Sequence, residues 1–424
     1  MVASRRPWSD IVATVVADSG GTASSAAWGR GLRTTPQQAA LLNGTAAHGI
    51  EMDDRRPSVR VHPGSVAVPV ALAVTESVKA DGRELIAAVV SGYELGLRVG
   101  HAVRLQAGIH SAGHTGVWTS VGAAGRGLAL SPDHMCNALG IAGSMAAGLA
   151  EFTQDTHGTM VKRLHGGMSA HNGTMAARLA KEGFTGPGSV LEGMNGYCQT
   201  YAQSPDRIHL EQLVDNLGVD YFIRKREVKP YAAWGGSHTT IEAVGALMAE
   251  HGIGVGDIAR IIIGGANYLI SEHEEPRPRS MMAAQYSLPF VTAIATVRGP
   301  LALVDPDDVW TEDLLDDADV LAVAAKVEFY VDEELDDIYE NGGHYGDARV
   351  TIETSAGQQF TKLVNDSKGT SKNPMTPAEI EAKFRRLCSR TIPDTRTQRI
   401  VEMVDHLEEL DDVRRLGDLA AGID

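Results

Sequence analysis

The chain is poor in several features that would place a protein in a broad class. Its 424 residues include three cysteines, Cys136, Cys198 and Cys388, far apart and without C-x-x-C spacing. A zinc ribbon is therefore excluded, a disulfide framework is not expected, and a reducing cytoplasm is the expected compartment. Nowhere does an uninterrupted apolar run approach the roughly 18 residues that a membrane-spanning helix requires. The first twenty residues carry two arginines but no apolar core adequate for a signal peptide. Aromatic residues make up only 5%. Positive charge is in the minority: 38 Lys and Arg against 54 Asp and Glu give a formal charge of −16. A nucleic-acid binder needs a basic face, so no nucleic-acid partner is expected, and no membrane partner either. An acidic protein can still focus a positive field inside a cleft, which leaves a small anionic ligand open. The sequence has no Walker motif, no G-x-G-x-x-G after a strand and no G-x-S-x-G elbow. Nucleotide cofactors and serine-hydrolase chemistry thus have no support.

What is present is an ordinary folded composition, with 43% hydrophobic and 22% charged residues. A chain this long can bury a core without disulfide or metal staples. From Gln37 to about Arg224 it is rich in Ala and Gly, and small residues let helices approach closely. Residues 36–42 (PQQAALL), 82–98 and 168–181 read as helices, and residues 140–149 read as tightly packed buried helix. Beyond Arg224 the texture changes. Residues 258–264, 326–331 and 349–354 read as strands, with a helical stretch at 281–297 between the first two. Thr376, Pro377 and Glu379 fit a capping box that reopens a helical pattern. The acidic residues 312–319 read as a solvated helix face. The expected fold class is mainly α: an all-helical body formed by residues 1–224 and 373–424, with an α+β lid inserted as residues 225–372.

Four clusters set polar groups into Gly-rich, apolar sequence. The first is His48, Glu51, Asp53 and Asp54, followed by His62-Pro63-Gly64. Three carboxylates in four residues beside histidines suit a metal or acid/base site, or else an exposed capping loop. The second holds His110 and His114. Their spacing matches a zinc pair, but no H-E-x-x-H glutamate intervenes and the surrounding glycines suggest a loop; no metal site is expected. The third is Lys162-Arg163 in residues 158–165 (GTMVKRLH), either a carboxylate clamp or a surface basic pair. The fourth, residues 228–238, contains Lys229 and His238 at the change of texture, where a cleft residue or a linker lysine would both fit.

Taken in order, these clusters resemble the MmgE/PrpD family, which includes 2-methylcitrate dehydratase, cis-aconitate decarboxylase and iminodisuccinate epimerase. Further matching segments are residues 39–48 (AALLNGTAAH), 139–144 (LGIAGS), 183–187 (GFTGP), 285–290 (QYSLPF), 373–374 (NP) and 383–384 (KF). The resemblance implies a helical body with an α+β lid, a site between them, a homodimer and no metal or organic cofactor. It also implies a small carboxylate substrate: a dehydratase-like lyase first, with epimerase, decarboxylase or a non-catalytic carboxylate binder as alternatives. By the same resemblance His110, Glu51, His62 and Lys229 are the catalytic candidates. Lys162, Arg163, Arg55 and His238 are the candidates for substrate binding. Three departures from the family pattern stand out: Glu51 takes the place of an Asp, Arg55 stands where many relatives have Thr, and the segment before the match is short.

Overall fold

Helices carry the Ala- and Gly-rich part of the computed structural model, which describes residues 1–155, 158–271 and 273–423. The helix Ser111–Gly127 is buried along nearly its whole length. Around it pack the helices Gly64–Val78, Gly82–Ala102, Pro132–Gly143 and Val161–Lys181. Small residues make this packing possible. A side chain at Gly96 would overlap Thr119, and one at Gly173 would overlap Ser120, so two neighbours meet the central helix almost backbone to backbone. The C-terminal helices Pro377–Cys388, Asp394–Asp405 and Arg414–Ala421 return to this body. Their Cys388, Ile400, Val413 and Leu416 share one core with Val70 and Trp118. The expected capping box is present, with Thr376 and Glu379 each bonded to the other's backbone N–H.

The fold is mainly α, as expected. Two short antiparallel ribbons that the sequence reading did not foresee are also present, one within the body and one joining it to the start of the inserted part. One pairs β1 (Ser25–Ala27) with β2 (Leu32–Thr34); the other pairs β3 (Asp54–Arg55) with β4 (Glu227–Val228). The second ribbon sets the first acidic cluster against the Lys229 segment.

The α+β part is built on β5 (Ile258–Gly265), β6 (Val327–Val331), β7 (Ala348–Thr354) and β8 (Gln359–Val364) in the order β6-β5-β7-β8. β5 and β6 run parallel, so a helical crossover joins them; β7 runs antiparallel to β5 and forms a hairpin with β8. Ile261, Ile263, Val350 and Ile352 pack under the helices His238–His251 and Leu288–Arg298.

Three local expectations need correction. Residues 108–116 are not a loop: the helix starts at Ser111 with His110 as its N-cap residue. Burial among close neighbours outweighs the low helix propensity of Gly113 and Gly116. Residues 140–149 are not one buried helix. The helix stops at Gly143, and Gly148 adopts φ +138°, which helix geometry excludes. Residues 312–319 are solvated as expected, with Glu312, Asp313, Asp316 and Asp319 exposed, but they form a 3-10 turn, Glu312–Asp316, followed by Asp317 capping the helix Ala318–Ala324, rather than one helix face. Among the described residues no helix is long and apolar enough to cross a membrane.

Candidate active site

A cleft of about 400 Å³ opens between the helical body and the α+β part. From the body it is lined by Glu51, Arg55, Arg60, His62, Arg104 and His110; from the other side by Trp234, Tyr268, His273, Tyr286 and Tyr345. Two of these lining residues, Glu51 (φ 55°) and Arg60 (φ 54°), hold a left-handed backbone without being glycine. Such conformations cost about 1–3 kcal/mol and persist only where the surroundings enforce them.

The helix Gly64–Val78 shows how the local sequence sets the wall. Asp54 accepts from the Gly64 N–H at 2.8 Å and from the Tyr93 hydroxyl at 2.7 Å, which pins β3 to the helix start and brings His62 to the entrance. Burial raises the Asp54 carboxyl above its ordinary value, partly offset by these bonds.

Behind the wall lies a buried charge cluster. Glu51 accepts from Lys162 through one oxygen and from Lys229 at 2.8 Å through the other. Lys229 also reaches Asp53 at 2.7 Å, and the Tyr286 hydroxyl donates to Glu51 at 3.0 Å. Two carboxylates thus face two ammonium groups, all nearly devoid of solvent contact. Burial alone would raise the Glu51 carboxyl, but Lys162 and Lys229 override it and hold it well below its ordinary range. Burial likewise works against Asp53, and Lys229 and His62 override it. The lysines respond in opposite directions. Burial prevails at Lys162, which is lowered despite Glu51; at Lys229 burial is overcome by Asp53 and Glu51, and its pKa is raised. Lys229 has two carboxylate partners and Lys162 has one, so the asymmetry follows from geometry. A third lysine, Lys383 of the C-terminal part, donates to the carbonyls of Met52 at 2.7 Å and Lys229 at 2.8 Å. Burial pulls it down to about 8.

Imidazoles surround this cluster. Asp53 Oδ2 lies 2.8 Å from His48 Nδ1 and 3.0 Å from His62 Nδ1. These three side chains are near enough to hold a cation. However, their separations are hydrogen-bond lengths, and the other Asp53 oxygen is committed to Lys229. His110 Nδ1 meets His165 Nδ1 at 2.8 Å. Burial, then His165, His48 and Lys162, push His110 well below its ordinary value; burial and Lys162 push His165 to about 4. His114 turns away to pack on Tyr201, with ring centroids 4.7 Å apart, so it forms no metal pair with His110.

The expected residues therefore divide. His110, Glu51, His62 and Arg55 line the cleft. Lys162 and Lys229 belong to the same cluster but sit behind Glu51, with side chains 1% exposed, and neither faces the cleft. Arg163 is not a surface residue: it donates to the Gly49 carbonyl at 2.8 Å and stacks on Trp8 at 4.0 Å. His238 is buried and faces the Ala233 carbonyl at 3.3 Å. Neither lines the cleft. Sequence reasoning set His48 in the first cluster without giving it a role of its own, and gave none to Tyr286 and His165, although all three lie inside matched motifs. Arg60 and Arg104 belong to no motif and carry no signal beyond charge in an apolar setting.

Arg55 is held from several sides. Its Nε pairs with Glu227 across the β3–β4 ribbon at 3.2 Å, and its Nη1 donates to the Tyr345 hydroxyl at 2.9 Å. Only glycine at 235 leaves room for its guanidinium, because a side chain there would overlap Nη1. His344 takes an N–H from Gly346 at Nδ1, at 2.9 Å, so its proton is assigned to Nε2, 3.3 Å from Glu227.

A helical body joined to a small mixed sheet, with a cleft of imidazoles and cations between them, defines a class of protein rather than one reaction. Residues 1–208 match the MmgE/PrpD N-terminal domain and residues 231–409 the MmgE/PrpD C-terminal domain. The chain belongs to the MmgE/PrpD family. Similar curated proteins include the cis-aconitate decarboxylase-like protein oryM of Aspergillus oryzae, 29% identical over 100% of this chain and 90% of the relative. The cis-aconitate decarboxylase of Aspergillus terreus is 28% identical, covering 99% and 88%. That of Homo sapiens is 26% identical, covering 94% and 82%.

Proposed function

We propose that the protein is a lyase of small di- or tricarboxylates and that it decarboxylates an acid of the cis-aconitate type. One observation carries the reading. His62 and His110 stand on the wall of a cleft that Arg55, Arg60 and Arg104 also face, in front of a buried acid–lysine cluster that neutralises itself. In such a reaction the bond to the departing carboxylate breaks and its electron pair becomes a new carbon–carbon double bond. The old double bond takes a proton at its far carbon, and carbon dioxide leaves. The remaining carboxylates need cations, and the planar fork of arginine suits them. His110 supplies the proton through Nε2, since Nδ1 is committed to His165, and solvent replaces it. An arriving polyanion favours a protonated imidazole, offsetting the burial that otherwise keeps His110 neutral. Lys162 and Lys229 set the field behind Glu51 rather than grip the substrate.

Dehydration of 2-methylcitrate, which the motifs alone favour, and epimerisation of iminodisuccinate also move a proton beside a carboxylate. The preference for decarboxylation comes from the relatives. The proposal includes a cytoplasmic homodimer that needs no cofactor. The test is incubation with cis-aconitate, 2-methylcitrate, citrate and iminodisuccinate in D2O, followed by NMR. Decarboxylation of cis-aconitate with one deuterium in the product is expected. Turnover of 2-methylcitrate alone reassigns the reaction to dehydration. Binding without turnover or exchange for every acid leaves only a carboxylate-binding role.

A further inference from the structure

His165 lies one helical turn inside Val161–Lys181 and does not reach the cleft, yet it is the nearest polar partner of a residue that does. The two Nδ1 atoms, 2.8 Å apart, can share only one proton, because two N–H groups or two lone pairs at that distance would repel. Phe152 packs edge-on against both rings, at 4.9 Å from His110 and 6.0 Å from His165, and walls the pair from the side. His110 is also anchored through its backbone, its N–H donating to the Gly148 carbonyl at 3.2 Å while Gly148 packs against the His165 ring. His48, His62 and Lys162 complete the titratable surroundings of His110.

We infer that His165 is the positioning residue of His110: it fixes the ring so that Nε2 addresses the cleft, and it sets which form that nitrogen takes. With the shared proton on His110, Nε2 is a lone pair and accepts a proton. With the proton on His165, Nε2 carries the N–H and donates. Before a substrate arrives the ring is uncharged in both arrangements, which suits its place beside the Lys162 ammonium and at the N-terminal end of the helix Ser111–Gly127. Once a polyanion favours the imidazolium, Nδ1–H is donated to His165 and Nε2–H is the proton delivered. This inference rests on the proposed proton-transfer chemistry for its consequence, but the shared proton stands independently of any substrate.

Two variants and one spectroscopic readout test it. His165→Leu removes the partner. His165→Asn restores an amide that can donate or accept at the same place. With cis-aconitate as probe, the Leu variant is expected to lose about 100-fold in kcat with KM within about threefold, and the Asn variant to recover to within about tenfold of the parent. In protein labelled with 15N-histidine, a slowly exchanging Nδ1 proton is expected that disappears in both His165→Leu and His110→Leu. A Leu variant with unchanged kcat overturns the inference, as does an Asn variant no better than Leu or a loss confined to KM. If the parent turns over no acid, the proposed function falls, and the Nδ1 proton alone decides the pairing: its absence refutes the inference and its presence upholds it.

Discussion

Replacing Glu51 with Gln is the most direct way to ask what holds the buried cluster together. The substitution keeps side-chain length and the left-handed backbone, and it removes one charge. The parent sets Glu51 and Asp53 against Lys162 and Lys229; the variant leaves one carboxylate for two ammonium groups. Breaking a buried pair by removing one partner costs about 3–5 kcal/mol. For 424 residues, unfolding entropy near the midpoint is about 0.9 kcal/mol/K, so Tm should fall by about 3–6 °C. Lys162 is the group expected to give up its proton, because burial already disfavours its charge. The pH dependence has a definite sign. A carboxyl held below its ordinary value of 4.5 stabilises the fold fully above that pH, and the contribution erodes as pH falls toward the depressed folded value. The gap between parent and Gln variant should therefore be complete at pH 7 and narrow progressively below about pH 4.5. Calorimetry across pH 3–7 measures it. A variant as stable as the parent at pH 7, or a gap that stays constant down to pH 3, refutes charge balance as the organising force.

Three further outcomes are expected. Arg55→Lys keeps the charge but loses the fork; KM for cis-aconitate should rise about tenfold with kcat changed less, measured by steady-state kinetics. Gly235→Ala displaces the Arg55 guanidinium and should raise KM similarly, while adding little in the Arg55→Lys background, because both changes act on one contact. Lys383→Met removes the two bonds that tie the backbones of Met52 and Lys229 to the C-terminal helix. It should cost about 2–3 kcal/mol, a Tm drop of about 2–3 °C by calorimetry.

The legible part of the fold was the part that local pattern controls. The alternation in Arg349–Thr354 reports a half-buried strand, and Thr376, Pro377 and Glu379 define a helix start whose bonds are all local. The start of the helix at Ser111 was not legible. Its glycines read as loop residues, and only packing against Gly82–Ala102 and Val161–Lys181 makes them useful. The β3–β4 ribbon was hidden for a related reason: its strands are two residues long and 173 positions apart, so neither shows a period. In the site, residue identity was legible but orientation was not. Lys162 and Arg163 are neighbours in sequence, yet a helix points them about 100° apart. One enters the acid cluster, and the other packs on Trp8.

That orientation decides how an anionic substrate can be recognised. If Lys229 gripped a substrate carboxylate directly, it would have to leave Glu51 and Asp53, so that two buried carboxylates faced the single ammonium of Lys162. The cost, about 3–5 kcal/mol, would weaken binding by a factor of roughly 10² to 10³ or more. The cluster is therefore better suited to hold a fixed potential than to exchange partners. Arg55 faces no such choice. Its bonds to Glu227 and Tyr345 use Nε and Nη1, leaving Nη2 directed to other neighbours. Nη2 also approaches His344 at 3.4 Å, a weak contact, because the nitrogen it approaches already carries a proton. An incoming carboxylate can take that position without separating any buried ion pair. Thr at this place would offer one hydroxyl and no charge. Under the proposed function, the departure at residue 55 thus bears on which acid the cleft accepts, whereas the departure at residue 51 bears on the scaffold of charge behind it.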